Sequence, residues 1–384
     1  MTVPNATISA DLRDEPVLDA LDTIDAGRPP FVSIYLRARS DVEDAEERFD
    51  IRWRNARRHI DSVLREAGVD PSDDYLDRVG DALGSHADGA TAVVLADADG
   101  PRAVGELSEP VRHDVVEVHS LARVVPRLAW ERSQVPHVVV VADREGADIV
   151  TVEPLAEPIV RSVDGDTEHI HRDNTGGLEH KRHQTRAENT WDRNARAVAD
   201  EVAEAARRID AGLIVVAGDV RALQFLREHL PQEVTSLVRE ATASAEHGDD
   251  ELADEIVRWE ATIAAERTVA TLHAFAEALG RDEAVEGAEA TFAALRQRRV
   301  ATLLIADDSE RTEPGDDAWF DPGDRALVAD EASELDGVAQ QTPVSGPRSE
   351  VALRAGLASG ADVQLVPAVG RHVPSEGIGA ILRF

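Results

Sequence analysis

The chain is organised around the segment Asn174-Thr175-Gly176-Gly177-Leu178-Glu179-His180-Lys181-Arg182-His183-Gln184-Thr185-Arg186. Two adjacent glycines lead directly into a basic segment, which continues into a long amphipathic pattern with helical spacing. Paired glycines allow a backbone to turn sharply and to approach another surface closely. The segment therefore predicts a glycine loop followed by a helix that begins with positive charge.

This segment is locally positive, although the whole chain has a formal net charge of -34 at pH 7. Residues 169–196 contain six cations and four acids, with four histidines in addition, and Lys181 is the only lysine of the chain. Most of the surface is expected to repel phosphate, so any RNA contact must use such a local patch. A glycine tip backed by cations suits insertion among phosphates. A solvated turn at a helix start is the alternative.

Length and composition restrict the class of protein. A chain of 384 residues is expected to form two or three domains, and 42% hydrophobic with 30% charged residues is typical of a soluble globular protein. Runs of 18 or more apolar residues are absent, which predicts no transmembrane helix and no membrane partner. The absence of cysteine excludes disulfides and thiol nucleophiles. With a polar first segment, these features lead us to expect a cytoplasmic protein.

The order of apolar patterns predicts a mixed α/β fold of three consecutive α/β domains, over residues 1–132, 133–248 and 249–384. Strands are predicted at 31–36, 138–142, 213–217 and 300–306, and long helices at 43–66 and from the glycine loop to residue 209. Further predictions are a helix over 119–134 that contains Pro126, a helix over 284–297, an acidic loop over 307–324, a helix over 326–335 and a strand near Val338.

Three common nucleotide-binding and hydrolase motifs are absent from the sequence. A Walker loop, a Gly-x-Gly-x-x-Gly segment and a Gly-x-Ser-x-Gly elbow do not occur, so we predict no cofactor and no small-molecule substrate. Four histidines could meet around a zinc ion, but their spacing matches no established ligand pattern, and no metal site is predicted: His169, His171, His180 and His183. The acidic loop 307–324 carries Trp319 and Phe320, and it is either solvated or a partner-binding loop.

Two segments resemble a known family. Gly176-Gly177, followed by Arg182 and a long helix, is similar to the Gly-Gly-Gln loop and basic helix in the middle domain of the archaeo-eukaryotic release factors. The segment 377–384 looks like the closing strand of their third domain, and 302–306 fits an earlier strand of that domain. Over roughly residues 137–384 the chain resembles this superfamily, which includes Pelota, and within it the bacterial branch of the ribosome hibernation factor Balon and its actinobacterial relatives.

The sequence departs from the family at the residues that perform chemistry. In release factors the loop glutamine helps water to attack the ester of peptidyl-tRNA, and Leu178 occupies that position here. An apolar side chain cannot orient or activate water. The Asn-Ile-Lys-Ser motif with which the family decodes stop codons is also absent. We therefore predict that the protein is not an enzyme and has no catalytic residue.

The resemblance implies a ribosome-binding translation factor that occupies the A site of idle ribosomes under stress, without peptide hydrolysis. The middle-domain loop would contact rRNA of the A site and the peptidyl transferase centre, the first domain would face the decoding centre, and the third would contact elongation factor Tu or another translational GTPase. The predicted ribosome-binding residues are Gly176, Gly177, Leu178, His180, Lys181, Arg182, His183 and Arg186. Two alternatives remain: a peptidyl-tRNA hydrolase or rescue factor using Glu179 or His180, and a stress-related interaction protein that does not bind the ribosome.

Overall fold

The structure is a computed structural model. It describes residues 10–11, 16–38, 45–87, 89–111, 113–143, 146–154, 156, 158–164, 178–242, 249–307 and 316–383. For residues 10–11, 45, 164, 178–191 and 249–250, the description covers the backbone and not the side chain.

The first part of the chain forms a five-stranded sheet between two helical layers. Its elements are β1 (Ala10–Asp11), α1 (Val17–Asp25), β2 (Phe31–Arg37), α2 (Ala45–Glu66), α3 (Asp73–Gly84), β3 (Thr91–Asp97), β4 (Gly100–Leu107), β5 (Val115–His119) and α4 (Val125–Ser133). The strand order is β1-β4-β3-β2-β5, and β1 with β4 is its parallel pair. Alternate residues of β2 point to opposite faces: Ile34 packs with α2 and α3, whereas Tyr35 packs with α1 and α4.

The middle part forms a second five-stranded sheet, again with a helix layer on each face. Its elements are β6 (His137–Ala142), β7 (Gly146–Val152), β8 (Ile159–Asp164), α5 (Leu178–Arg208), β9 (Leu213–Gly218), α6 (Val220–His229), α7 (Gln232–Thr235) and β10 (Val238–Glu240), followed by α8 (Asp249–Gly280). The strand order is β10-β9-β6-β7-β8. Strands β10, β9 and β6 are parallel, and β7 and β8 continue the sheet as antiparallel strands.

The third part contains two smaller sheets. Its elements are β11 (Ala284–Glu286), α9 (Ala288–Arg296), β12 (Val300–Asp307), β13 (Asp317–Asp321), β14 (Asp324–Ala329), a 3-10 turn (Ala332–Leu335), β15 (Val344–Pro347), α10 (Arg348–Ala358), β16 (Asp362–Pro367), a 3-10 turn (Ser375–Gly377) and β17 (Ile378–Leu382). One sheet has the order β11-β17-β12-β16 and the other β14-β13-β15. The predicted mixed α/β fold is confirmed.

The described chain divides into two compact units. The middle unit is Ser133–Arg267, and the composite unit joins Met1–Arg132 to Thr268–Phe384. The composite unit has a shared hydrophobic core, in which Tyr35 and Leu95 of the first sheet belong to the same cluster as Phe292 of α9 and Val351 of α10. Residues far apart in sequence therefore exclude water from one interior.

The helix α8 contributes to both units. Its first half packs on one face of the second sheet through Leu252, Ile256, Trp259 and Ile263, in a cluster with Val139 and Val215. Its second half supplies Leu272, Phe275 and Ala278 to a cluster with Leu304 of β12. Within the described residues, none of the helices has the length and apolar character that a membrane crossing needs.

The predicted helix over 119–134 is corrected by the structure. His119 ends strand β5, which pairs with β2, and the helix α4 begins only at Val125. Pro126 lies in the first turn of α4. In the first turn of a helix the missing proline N–H removes no intrahelical hydrogen bond, so a proline there is compatible with a helix start.

Several predictions between residues 284 and 347 are also wrong. The helix predicted over 284–297 begins at Ala288, because Gly287 has a φ of +85° and the three residues before it form β11. Strand β13 lies inside the predicted acidic loop, so Trp319 and Phe320 are sheet residues. The helix predicted over 326–335 consists of β14 and a 3-10 turn, and the strand predicted near Val338 lies at Val344–Pro347 instead.

Candidate functional site

The Gly176-Gly177 loop that the sequence predicts as the contact site lies outside the described residues. This applies to Gly176 and Gly177, and to His169 and His171 of the histidine group. The other predicted contact residues lie in the first turns of α5, where the backbone is helical and the side chains are outside the description: Leu178, His180, Lys181, Arg182, His183 and Arg186. Their contacts stay predictions. The described residues contain no group of three or more potential metal ligands.

The helix α5 that follows the loop is long, and its described second half packs on the sheet. It has 31 residues, which corresponds to about 46 Å along the helix axis. Its buried side chains, among those described, lie between Asn194 and Ala206, and Val198 and Val202 pack in the core of the middle unit. The segment from Leu178 to Asp192 adds about 21 Å of helix before this packed half.

One acid–base pair marks the point where the packed half of α5 begins. Nε2 of His229, the last residue of α6, lies 2.7 Å from Oδ1 of Asp192 on α5. The His229 side chain is 16% exposed and the Asp192 side chain 45%. We call this pair the helix clamp. It ties α5 to α6, where the two helices pack side by side on the sheet.

The start of α6 is fixed by a glycine and an aspartate. Gly218, at the end of β9, has a φ of +129°, and a Cβ at this position would collide with the carbonyl oxygen of Ala142 at the end of β6. Asp219 caps α6, because its Oδ1 accepts hydrogen bonds from the N–H groups of Arg221 at 3.0 Å and Ala222 at 3.2 Å. The close approach of two strand ends therefore requires glycine, and the helix carrying His229 starts directly after it.

A narrow cleft lies beside these strand ends, lined by Ala142, Asp143, Asn194, Arg221 and Phe225. Its free volume is about 20 Å³. One water needs roughly 10–15 Å³ on this measure, whereas pockets for small organic ligands have roughly 300 Å³ or more. The cleft therefore has room for about one water and not for a small-molecule substrate.

A wider groove lies in the composite unit, between α2 and the edge strand β5. It has a volume of about 580 Å³ and is lined in part by Arg48, Arg52, Asn55 and His59. Arg52 forms an ion pair with Asp114, which also lines the groove. Because that carboxylate offsets one of the two arginines, the groove is only a weak surface for anions.

On the face of the second sheet opposite α5 and α6, a histidine contacts the helix α8. Nδ1 of His137, at the start of β6, lies 2.9 Å from the carbonyl oxygen of Val135 and 3.0 Å from Oε1 of Glu260 on α8. Burial alone would lower the pKa of His137, but the contacts with Glu260 and Val135 outweigh it and raise this pKa above its ordinary value. The pair thus attaches the first half of α8 to the sheet.

Sequence reasoning did not single out Asp192, His229 or Gly218. The sequence does contain a signal for Gly218. Gly218-Asp219 follows a continuous apolar run and precedes a helical pattern, and aspartate is a preferred N-cap. Nothing in the sequence pairs Asp192 with His229, which lie 37 residues apart. The described site can hold a helix in place, and it offers no enclosed space for a reaction.

Comparisons with known proteins point to one family. Residues 136–281 match the bacterial archaeo-eukaryotic release factor family 2. The uncharacterized protein Rv2629 of Mycobacterium tuberculosis (strain H37Rv) is 27% identical over 370 residues, which cover 94% of this chain and 94% of its own. The matched region contains the Gly-Gly loop, α5, the helix clamp and all of α8.

The similar solved structures are more distant. Dom34 of Saccharomyces cerevisiae, a translation termination-like factor that interacts with Hbs1, has a TM-score of 0.39 at 11% identity and covers 77% of this chain and 75% of its own. Archaeal Pelota, in its ribosome-bound form with ABCE1, has a TM-score of 0.39 at 14% identity, with 98% and 95% covered. Both scores are below 0.5, and the similarity to a family lies in the middle of the chain: residues 136–281 match the bacterial archaeo-eukaryotic release factor family 2.

Proposed function

We propose that the protein is a ribosome-binding translation factor that occupies the A site of idle ribosomes and does not hydrolyse peptidyl-tRNA. The observation that carries this proposal is Leu178 in a chain whose middle part matches a release factor family. By the resemblance, Leu178 stands where release factors have the glutamine that positions water. The loop keeps its two glycines and the cations at the start of α5, so it can enter an RNA cavity. It has no side chain to activate water there.

The packing of α5 supports a role in presenting this loop. Its second half is buried on the sheet through small side chains such as Ala199 and Ala203, and the helix clamp joins it to α6 at Asp192. A helix supported over its second half has a defined direction at its start. The cations Lys181, Arg182 and Arg186 would then meet RNA phosphates along one route of entry.

The proposal extends to partners and location. By the resemblance, the first part of the chain would face the decoding centre, and the third part would contact elongation factor Tu or another translational GTPase. Such a factor would act in the cytoplasm and would protect ribosomes that are not translating, as a hibernation factor does under stress.

Co-sedimentation tests the ribosome contact. Purified full-length protein is mixed with vacant ribosomes and centrifuged through a sucrose cushion, and we expect it in the ribosomal pellet at low salt with loss from the pellet as salt rises. Peptide release is measured on ribosomes that carry peptidyl-tRNA, and we expect no release above the rate without factor. Absence from the pellet would contradict ribosome binding, and rapid release would favour the hydrolase alternative.

The basic start of α5 can be tested separately. We expect Lys181→Glu with Arg182→Glu to weaken ribosome binding. We also expect log affinity to fall less steeply with log salt, with a slope smaller in magnitude by about 1.5, because two phosphate contacts are lost. Arg196→Glu with Arg208→Glu is the matched control: both side chains are exposed, and the change in charge and the helix are the same. Equal effects of the two double variants would show that net charge matters and that the start of the helix does not.

A further inference from the structure

The composite unit is held together by polar contacts between residues that are more than 200 positions apart in sequence. They join α1 and the segment 120–125 of the first part to β15 and α10 of the third part. The Ser120 hydroxyl donates to the carbonyl oxygen of Ser345, and Nη1 of Arg123 donates to Oγ of Ser349 at 2.9 Å. These contacts lie beside the shared hydrophobic core of the unit.

One of these contacts is an ion pair that is nearly excluded from water. Nη2 of Arg354, on α10, lies 2.6 Å from Oδ1 of Asp25, the last residue of α1, and its Nε donates to the same oxygen at 2.7 Å. The side chains are only 6% and 8% exposed. Nη1 of Arg354 also donates to Oε2 of Glu350, one helical turn earlier, at 3.2 Å.

Glu350 connects this ion pair to the backbone of the first part. Its side chain is fully buried, and Oε1 accepts a hydrogen bond from the N–H of Val125 at 2.9 Å. Burial raises the pKa of Glu350, while the nearby Arg123 and Arg354 act in the opposite direction. We call Asp25, Arg123, Glu350 and Arg354 the buried junction.

The buried junction is also tied to the first sheet. The N–H of Arg123 donates to Oγ of Ser33 at 2.9 Å, and the Tyr35 hydroxyl donates to the carbonyl oxygen of Arg123 at 2.6 Å. Ser33 and Tyr35 both belong to β2. A continuous series of buried hydrogen bonds therefore leads from α10, through residues 123–125, to the centre of the first sheet.

Neither part of the chain can satisfy these groups alone. Separation would leave Asp25 without the guanidinium of Arg354 and Glu350 without the Val125 N–H, and the apolar core around them would be exposed. A buried charge that loses its partner is strongly unfavourable unless water reaches it. Opening of one part therefore favours opening of the other.

We propose that the buried junction couples the first and third parts into one cooperative unit, so that loosening α10 also loosens the first sheet. This inference does not depend on the proposed function. It predicts a response in segments that are far from the changed residue in sequence, which distinguishes coupling from local damage around α10.

Hydrogen exchange of the full-length protein tests the proposal. In Arg354→Met, we expect the Val125 amide and peptides from β2 to lose protection by roughly 100-fold, because a buried partner is removed, while β6 and β7 of the middle unit exchange as in the parent. Arg325→Met is the matched control. Arg325 pairs with Asp22 and Asp25 across the same boundary but is 47% exposed, so a change of about 2-fold or less is expected.

A milder variant covers the case in which Arg354→Met does not fold. Glu350→Gln keeps the shape and one acceptor oxygen, and we expect a loss of protection of about 10-fold, again shared by α10 and the Val125 segment. Loss confined to peptides within 348–358, with β2 and Val125 unchanged, would overturn the proposal for either variant. Equal loss in Arg325→Met would also overturn it, since the buried position of the ion pair would then be irrelevant.

Discussion

The buried junction of the composite unit and the helix clamp of the middle unit both join distant segments through acid–base pairs. They differ in how much water reaches them. Arg354 and Asp25 are 6% and 8% exposed, whereas Asp192 of the clamp is 45% exposed. In the junction each buried charge is stabilised by its partner, because water cannot reach it to take the place of that partner. In the clamp, water can solvate the aspartate as soon as the histidine is removed.

The difference indicates that the two units are stabilised in different ways at these places. The composite unit relies on buried charged groups that pair with one another, Arg354 with Asp25 and with Glu350. The middle unit relies on apolar packing of α5 and on close backbone contact at Gly218, and its two histidine pairs add smaller contributions. Three substitutions and one change of pH test this difference in stabilisation, from the largest expected effect to the smallest.

Glu350→Ala should have the largest effect. It removes the buried carboxylate that accepts hydrogen bonds from Arg354 and from the Val125 N–H, so Arg354 keeps only the Asp25 carboxylate and the Val125 N–H loses its acceptor. We expect a loss of about 3–5 kcal/mol in the free energy of unfolding of the composite unit. Calorimetry of the full-length protein measures it, and a loss below about 1 kcal/mol would remove the distinction between junction and clamp.

Gly218→Ala should have the largest effect in the middle unit. An added Cβ meets the carbonyl oxygen of Ala142, and the φ of +129° is unfavourable for alanine. We expect a destabilisation of about 2 kcal/mol or more, measured by urea unfolding. Gly84→Ala is the control, because a Cβ there has no neighbour within 4 Å and lies in helix α3, so stability should be unchanged or slightly higher.

The contact between His137 and Glu260 should make the middle unit less stable at high pH. The pKa of His137 is raised in the folded protein, whereas an unfolded histidine titrates near 6.5, so the stabilisation is complete below about pH 6.5. It is lost as pH rises through the folded pKa. We expect the urea midpoint to fall between about pH 6 and about pH 9.

The comparison variant for this pH effect is His137→Gln, which has no titrating ring. Its urea midpoint should fall less than that of the parent over the same pH range. Parallel curves for the two proteins would mean that other groups cause the pH dependence and that the ion pair to Glu260 contributes nothing measurable.

Asp192→Asn should have the smallest effect. The Asp192 side chain is 45% exposed and an amide can still hydrogen-bond His229, so we expect a loss of less than about 1 kcal/mol. If ribosome binding is established, its affinity in this variant shows whether the direction of α5 depends on the clamp. A destabilisation as large as that of Glu350→Ala would contradict the contrast between the two regions.

Much of the fold could be predicted from periodicity in the sequence. Continuous apolar runs such as 138–142 and 213–217 became the central strands of the second sheet, and the long helical pattern after the glycines became α5. These elements pack by their own periodicity, with no need for a particular distant partner. The same reasoning failed for β13, β14 and β15, whose short strands depend on pairing with one another.

The buried junction could not be predicted from the sequence. Asp25, Glu350 and Arg354 are ordinary helix residues in the sequence, and charged residues on a helix usually indicate a solvated face. Their burial follows from the packing of α10 against residues more than 200 positions away. For the candidate site, the sequence predicted the long helix α5 but not Gly218 or the Asp192–His229 pair that support the helix.

The sharing of α8 has a practical consequence for dissecting the molecule. A fragment that ends at residue 248 would lack Ile256, Trp259 and Ile263, and it would leave Val139 and Val215 of the second sheet uncovered. Such a fragment should aggregate through this apolar face. Activity lost on truncation at that position would then report a sheet without its covering helix, and it would not reveal what the third part of the chain does.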